Sequence, residues 1–334
     1  ESSCDESSAA ILADSRLLAV ETKTQTVHRA FGGVVPELAG RSHLELLDDV
    51  TQQALKRACV RLQEVDLVAA TAGPGLVGSL LVGINYARGL ATALGRPFRA
   101  VHHLEAHLWS AEISAGELPM PFLLLLVSGG HTALILVHGL RHYQVLGSTR
   151  DDAMGEAYDK VGKLLGLAFP AGAAVERLAA QGDPTRFTFP VSMHDASADF
   201  SFSGLKTSVA YRVRAMRKEE VIERTPDLLS SFQNAALTSV MLKVEHAMDS
   251  GLPRALVAAG GVAANSRLRE RFDKLAKARG VPSVFPPLEL CGDNAAIIGY
   301  LAWKLETGGV YEDVAPTVRP RWPLELLGSE EGAQ

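Results

Sequence analysis

The sequence predicts an α/β protein, and three observations carry that expectation. Short apolar, strand-like runs alternate with amphipathic, helix-like ones. Glycine-rich turns join several of these runs, and helix stop signals recur behind the helical ones. In order, Ala9–Ala13 and Leu17–Thr22 read as short strands around the turn Asp14-Ser15-Arg16. Ser42–Leu62 sets Leu47, Val50, Ala54, Leu55 and Ala58 at helical spacing. Val65–Ala70 reads as a buried strand, followed by Gly73-Pro74-Gly75-Leu76-Val77-Gly78 and a helix to Leu94 that stops at Gly95 with Pro97 behind it. Phe98–Val101 is a strand leading into a helix that begins near His103. Beyond the loop around Gly116–Pro121, Phe122–Val127 and Ala133–Val137 are expected to pair. Leu256–Ala259 is a buried strand entering Gly260-Gly261 and a helix through Arg279, and Asp293–Leu305 is a last apolar helix. Each half opens on a polar turn between strands, which hints at a duplicated fold without a visible sequence repeat.

At 334 residues the chain has room for about two domains. Hydrophobic residues at 47% and charged residues at 21% fit a globular protein and exclude disordered, collagen-like and coiled-coil readings. Thirty-three basic against 38 acidic residues leave a net charge of −5. Proteins that grip nucleic acid unaided are usually basic, so any nucleic acid here must be held by a local patch or with help. Cys4, Cys59 and Cys291 are odd in number and widely spaced, which points to a reducing compartment. No apolar stretch approaches the ~20 residues that span a bilayer, so no membrane association is expected. No signal-like n-region is visible either. The chain opens at Glu1 in the middle of what reads as a motif, and residues are expected to precede it.

The sharpest local feature is His103-Leu104-Glu105-Ala106-His107. Residues four apart share a helix face, so both imidazoles can reach one metal ion; ordinary helix-surface histidines explain the pair as readily. Zinc proteases also space two histidines by four, but their glutamate directly follows the first. Glu105 sits two residues on, about 200° round the helix and away from the histidine face. A third ligand is needed, and Cys291-Gly292-Asp293-Asn294 offers one, although an Asp before a helix is first of all an N-cap. A His/His/Asp set with an open position suits a Lewis-acidic metal. Ser128-Gly129-Gly130-His131-Thr132, between two strands, can form an anion-binding nest, or simply a hairpin turn. Gly260-Gly261-Val262-Ala263-Ala264-Asn265 joins strand to helix, where amides favour phosphate, or where any strand–helix turn would sit. Asp5, Glu6, Asp151, Asp152, Glu156 and Asp159 stand at turn-like positions for which a solvated loop is the plain explanation. Two basic runs, Lys206, Arg212, Arg214, Arg217 and Lys218, then Arg267, Arg269, Arg271, Lys274, Lys277 and Arg279, can meet phosphates or serve as solvated helix faces.

Taken together, the segments say more than each alone. Glu1–Ser7 (ESSCDES), Phe31–Glu37 (FGGVVPE), Gly73–Leu76, His103–His107, Ser128–Thr132, Asp151–Lys160 (DDAMGEAYDK), Phe200–Thr207 (FSFSGLKT), Gly260–Asn265 and Cys291–Ala295 stand in one chain. In this order and spacing they closely resemble the tRNA N6-adenosine threonylcarbamoyltransferase family, bacterial TsaD type, also labelled glycoproteases. The resemblance runs to about Pro323.

The resemblance implies an actin/hexokinase-like (ASKHA) fold: two lobes of related topology around a nucleotide cleft. The lobes are expected at 1–110, completed by 293–323, and at 119–292. It also implies transfer of the threonylcarbamoyl group from threonylcarbamoyl-AMP to N6 of adenosine 37 in tRNAs reading ANN codons, with release of AMP. One divalent metal ion, iron or zinc, would be held by His103, His107 and Asp293. Leu126, Val127, Ser128, Gly129, Gly130, Asp159, Gly172, Glu176 and Asn265 would hold the adenylate: Asp159 or Glu176 at the ribose, Asn265 at the base, Ser128–Gly130 at phosphate or carbamoyl oxygens. Asp5 and Glu6 fall where the family has acidic residues near the reacting centre. The partner proteins TsaB and TsaE and a cytoplasmic location follow from the same source. Gly172 stands in Pro170-Ala171-Gly172-Ala173 where the family usually has Pro-Gly-Gly-Pro, and Gly292 replaces a common threonine. A metalloprotease and a non-catalytic, actin-like nucleotide-binding module are the competing readings.

Overall fold

The computed structural model describes residues 1–191, 197–310 and 317–327. They divide into two compact units, the first made of Glu1–Glu117, Leu140–His142 and Pro286–Gln334, the second of Leu118–Gly139 and Tyr143–Phe285.

In unit 1, β1 (Glu6–Ala13) and β2 (Arg16–Thr24) form an antiparallel hairpin. Helix α1 (Pro36–Ala58) follows; Pro36 sets its first φ and Cys59, at φ 55°, ends it, which moves both ends toward the N-terminus from the expected 42–62. Strand β3 (Val68–Gly73), helix α2 (Val77–Leu94) and β4 (Phe98–His102) make a parallel strand–helix–strand unit, with Gly95 closing α2 as its pattern predicts. Helices α3 (His103–Trp109) and α4 (Glu112–Ala115) complete this part of the chain.

Unit 2 holds a five-stranded sheet. Strands β5 (Phe122–Val127), β6 (Thr132–Gly139) and β7 (His142–Ser148) open it. Helices α5 (Met154–Leu164), α6 (Gly172–Ala179), α7 (Ser203–Arg214) and α8 (Lys218–Gly251) precede β8 (Ala255–Ala259), α9 (Ser266–Arg279) and β9 (Ser283–Val284). The strand order is β7-β6-β5-β8-β9, with β5 antiparallel to β6 and parallel to β8. β5 and β8 are buried along their whole length, as strands covered on both faces must be. Leu123, Leu125, Phe202, Phe232 and Phe272 fill the core against the sheet.

Both units run antiparallel strands first and a parallel strand–helix–strand unit last (β3-α2-β4, β8-α9-β9). Helix α10 (Ala295–Thr307) returns to unit 1, packing on α3 and on β1 to β4. Gly299 allows its close approach, since a Cβ there would lie 2.5 Å from the Leu12 side chain. This return is what carries Asp293 toward α3.

Candidate metal centre

Helix α3 starts on its own N-cap: the side chain of His102 accepts from Glu105 N at 3.2 Å, while its Nε2 meets the Trp322 carbonyl at 3.0 Å. His102 is thus consumed by structure, and the next turn presents His103 and His107. Their rings lie edge to face with centroids 4.9 Å apart. Asp293 Oδ1 lies 3.1 Å from His107 Nε2 and 3.5 Å from His103 Nε2. One donor atom from each of the three residues falls within 4.8 Å of the others.

Asp293 is not the cap of α10. Asn294 is, accepting from Ala296 N and Ile297 N at 3.0 and 3.3 Å. The first backbone amide of α10, Ala295 N, donates to Ser8 Oγ on β1 at 3.0 Å. With the helix end satisfied by its neighbours, the Asp293 carboxylate is left to the histidines, which corrects the plain N-cap reading.

Behind His103 stands Glu1, with Oε2 3.3 Å from His103 Nδ1 and Ser3 Oγ at 3.4 Å. A carboxylate on the far nitrogen orients a histidine whose other nitrogen binds metal. Burial opposes the proton on His103, but Asp293 and then Glu1 outweigh it, holding the imidazole well above its ordinary range. Burial likewise opposes charge on Asp293, and His103 and His107 overcome it, keeping the carboxyl well below its ordinary range. Two imidazoles and one carboxylate oxygen, facing one point with a second carboxylate behind, are a donor set for a borderline divalent ion such as zinc or iron(II). The residues fit the group.

The neighbouring acids belong to the same unit. Burial, then the charges of Asp5 and Asp293, push the Glu6 carboxyl up to about 9. Burial and Asp5 also push the Cys4 thiol far up, which disfavours its thiolate form. Glu105 is fully buried and ion-paired with Arg141 at 3.2 Å, so its carboxylate is committed elsewhere than to activating water.

The other expected residues lie in unit 2. Leu126 and Val127 are the buried end of β5, and Ser128–Gly130 turn away from it. The turn is braced from two sides. A Cβ on Gly260, at φ 95°, would strike Val127 O at 2.3 Å, and one on Gly155 would lie 2.6 Å from Ser128 O. Asp159 accepts from Ala171 N at 2.7 Å, directly before Gly172, which opens α6. Glu176 accepts from Ser266 N and Oγ at 2.8 and 2.6 Å. Asn265 caps α9 through Leu268 N at 3.0 Å and donates to Gln233 Oε1 at 2.9 Å. Strand end, helix starts and acids are thereby linked into one hydrogen-bonded frame.

Several plain readings change. Asp151 accepts from Phe202 N, Ser203 N and two serine hydroxyls, tying the DDAMGEAYDK segment to FSFSGLKT. Asp152 bridges Lys160 and Lys206, each at 2.7 Å, and Glu156 pairs with Lys160. These acids are tied to specific partners, with Asp151 and the Glu156 side chain still open to solvent. In the second basic run Arg269 bonds Ala263 O, Arg271 bonds Asn234 and Thr238, and Arg279 pairs with Asp249. Sequence reasoning missed Glu1 and Ser3 behind the metal, and Ser266, Gln233 and Gly155 in unit 2. The first two stand in the opening motif, but only the fold brings them to His103.

Comparison with known proteins decides the family. The model of the tRNA N6-adenosine threonylcarbamoyltransferases (TsaD) matches residues 16–300. The chain belongs to this family. It is 44% identical over 322 residues to the tRNA N6-adenosine threonylcarbamoyltransferase of Kosmotoga olearia, covering 96% of each chain. With the one from Chelativorans sp. it shares 46% over 344 residues, covering 97% of this chain and 94% of the relative. Among solved structures, component A of (R)-2-hydroxyglutaryl-CoA dehydratase from Acidaminococcus fermentans superposes with a TM-score of 0.53 at 16% identity, over 91% of this chain and 95% of that one. HypF from T. kodakarensis gives 0.57 at 14%, over 86% of this chain and 46% of that one. Those likenesses are of fold alone, and they agree with the expected actin/hexokinase-like (ASKHA) fold.

Proposed function

We propose that the chain transfers the threonylcarbamoyl group from threonylcarbamoyl-AMP to N6 of adenosine 37 in tRNAs reading ANN codons. The observation that carries this reading is the convergence of His103, His107 and Asp293, in a chain that matches the transferase family over most of its length. N6 of adenine attacks the carbamoyl carbon; the C–N bond forms, the bond from that carbon to the phosphate oxygen breaks, and AMP leaves with the electron pair. An exocyclic adenine amine is a weak nucleophile, so the activated anhydride and the proximity of the two substrates carry much of the rate. When bound to the three ligands, a zinc or iron ion supplies Lewis-acid stabilisation of carbonyl or carboxylate oxygen.

Asp5 and Glu6 handle the proton that N6 sheds. Their place beside Asp293 supports this, since the charges of Asp5 and Asp293 both act on Glu6. Leu126, Val127, Ser128, Gly129 and Gly130, with Asp159, Gly172, Glu176 and Asn265, hold the adenylate. Support comes from Gly129 and Gly130, which lie outside the left-handed region and whose Cβ positions meet no atom within 4 Å. The chain's own packing does not demand glycine there, whereas close approach of a phosphate does. The tRNA is the acceptor, TsaB and TsaE are the assisting proteins, and the cytoplasm is the location. No helix among the described residues is long and apolar enough to cross a membrane.

Reconstitution with tRNA, threonylcarbamoyl-AMP, TsaB and TsaE tests the reading by mass spectrometry of the tRNA nucleosides. Threonylcarbamoyladenosine with matching AMP release is expected. AMP release that ignores tRNA would favour a nucleotide hydrolase instead.

A further inference from the structure

Glu105 stands on α3 midway between the two histidine ligands, and its side chain is fully buried. A buried carboxylate persists only with a charge partner. That partner is Arg141, whose Nε lies 3.2 Å from Glu105 Oε1 and whose side chain is 11% exposed. Arg141 comes from the turn Leu140–His142 between β6 and β7, which groups with unit 1 although most of both strands belongs to unit 2. The turn is seated there by Leu140 as well, since a Cβ on Gly308 would lie 3.0 Å from Leu140 Cδ2.

A second observation is independent of the pair. Arg141 has φ 63°, in the left-handed region where hairpin turns ordinarily place glycine or asparagine. An arginine held there is a backbone cost accepted for what the side chain does.

We propose that Arg141 is a positioning residue for the metal centre: through Glu105 it fixes the roll of α3 about its axis. The helix has only seven residues, with ligands on one face and Glu105 on the other. A roll of about 10° moves an imidazole nitrogen ~6 Å from the axis by ~1 Å. Metal–ligand distances tolerate only about 0.2 Å, so an unpinned α3 would not keep both Nε2 atoms aimed at one ion with Asp293. The inference rests on the metal centre of the preceding section and extends it to a residue outside every motif of the sequence.

The test uses the full chain loaded with cobalt(II), whose visible absorption reports coordination geometry, with affinity read by chelator competition. Arg141→Ala is expected to weaken cobalt binding about tenfold or more and to alter the spectrum. Because it takes the guanidinium away from a buried carboxylate, a double variant, Glu105→Met with Arg141→Gly, accompanies it. That variant removes both charges of the pair and the left-handed side chain at 141, yet it is expected to show the same loss. A folded double variant with wild-type cobalt affinity and spectrum would overturn the proposal. Wild-type protein that binds no cobalt through His103 and His107 would instead sink the metal reading beneath it. Neither readout depends on tRNA modification.

Discussion

Asp293 and Asn294 are adjacent, and the fold gives them separate tasks. Removing the cap with Asn294→Ala should cost about 1 kcal/mol of stability while metal stays bound. Asp293→Ala should keep the α10 cap and lose the metal, as metal analysis of purified variants against their denaturation midpoints would show. Equal metal loss in both would contradict the division. The proton on His103 makes a second prediction at this scale. Asp293 and Glu1 hold it well above its ordinary range against the pull of burial, so an incoming cation must displace it. Metal binding at neutral pH should therefore release protons, and affinity should fall as the solution is acidified. Calorimetry in buffers of different ionisation enthalpy reads the release; binding without it would contradict the arrangement. In metal-free protein the same shift stabilises the fold fully below about 6.5 and is lost as pH rises through the raised value.

At the scale of elements, Asp151 shows how two distant segments become one piece. Burial opposes its charge, but hydrogen bonds from Ser201, Phe202 and Ser203 hold the carboxyl below its ordinary range. A lowered carboxyl contributes stability present above about 3.8 and lost as pH falls through the folded value. Asp151→Asn should thus lower stability at neutral pH and flatten the acid side of the stability profile. An unchanged profile in denaturant titrations would contradict this tie between the segments. Some strands and helices were legible: Phe122–Val127 and the end of α2 at Gly95 follow the pattern to the residue, whereas β7, β9 and α5 to α8 drew no reading and β3 lies three residues beyond the expected Val65–Ala70. The start of α1 was not, because Pro36 initiates six residues before the apolar spacing becomes visible. Nor was the role of Asn294, since a lone Asp before an apolar helix has the same local signature as a cap. Glu105 was readable only as facing away from the ligands; that it meets Arg141 depends on a turn 36 residues on.

For the whole molecule, the net charge of −5 makes tRNA binding a matter of local cations and partner proteins. Three of the six cations of the second basic run, Arg269, Arg271 and Arg279, and Lys206 of the first are occupied by internal bonds. Arg214, Arg217 and Lys218, at the corner between α7 and α8, are exposed and carry no ion pair among the described residues. Charge reversal at Arg214 and Arg217 should weaken tRNA binding and lower its salt slope by about 1 per lost phosphate contact, with cobalt affinity unchanged. An unaltered slope would place the tRNA elsewhere. The metal site was half legible, since the paired histidines announce themselves and Asp293 arrives only because α10 folds back on β1. The measurement that bears most directly on the central claim is the nucleoside analysis of tRNA treated with the reconstituted system carrying His103→Ala and His107→Ala together. The metal-centred account predicts a folded protein and no threonylcarbamoyladenosine. Near-normal modification by that variant in metal-free buffer would contradict it.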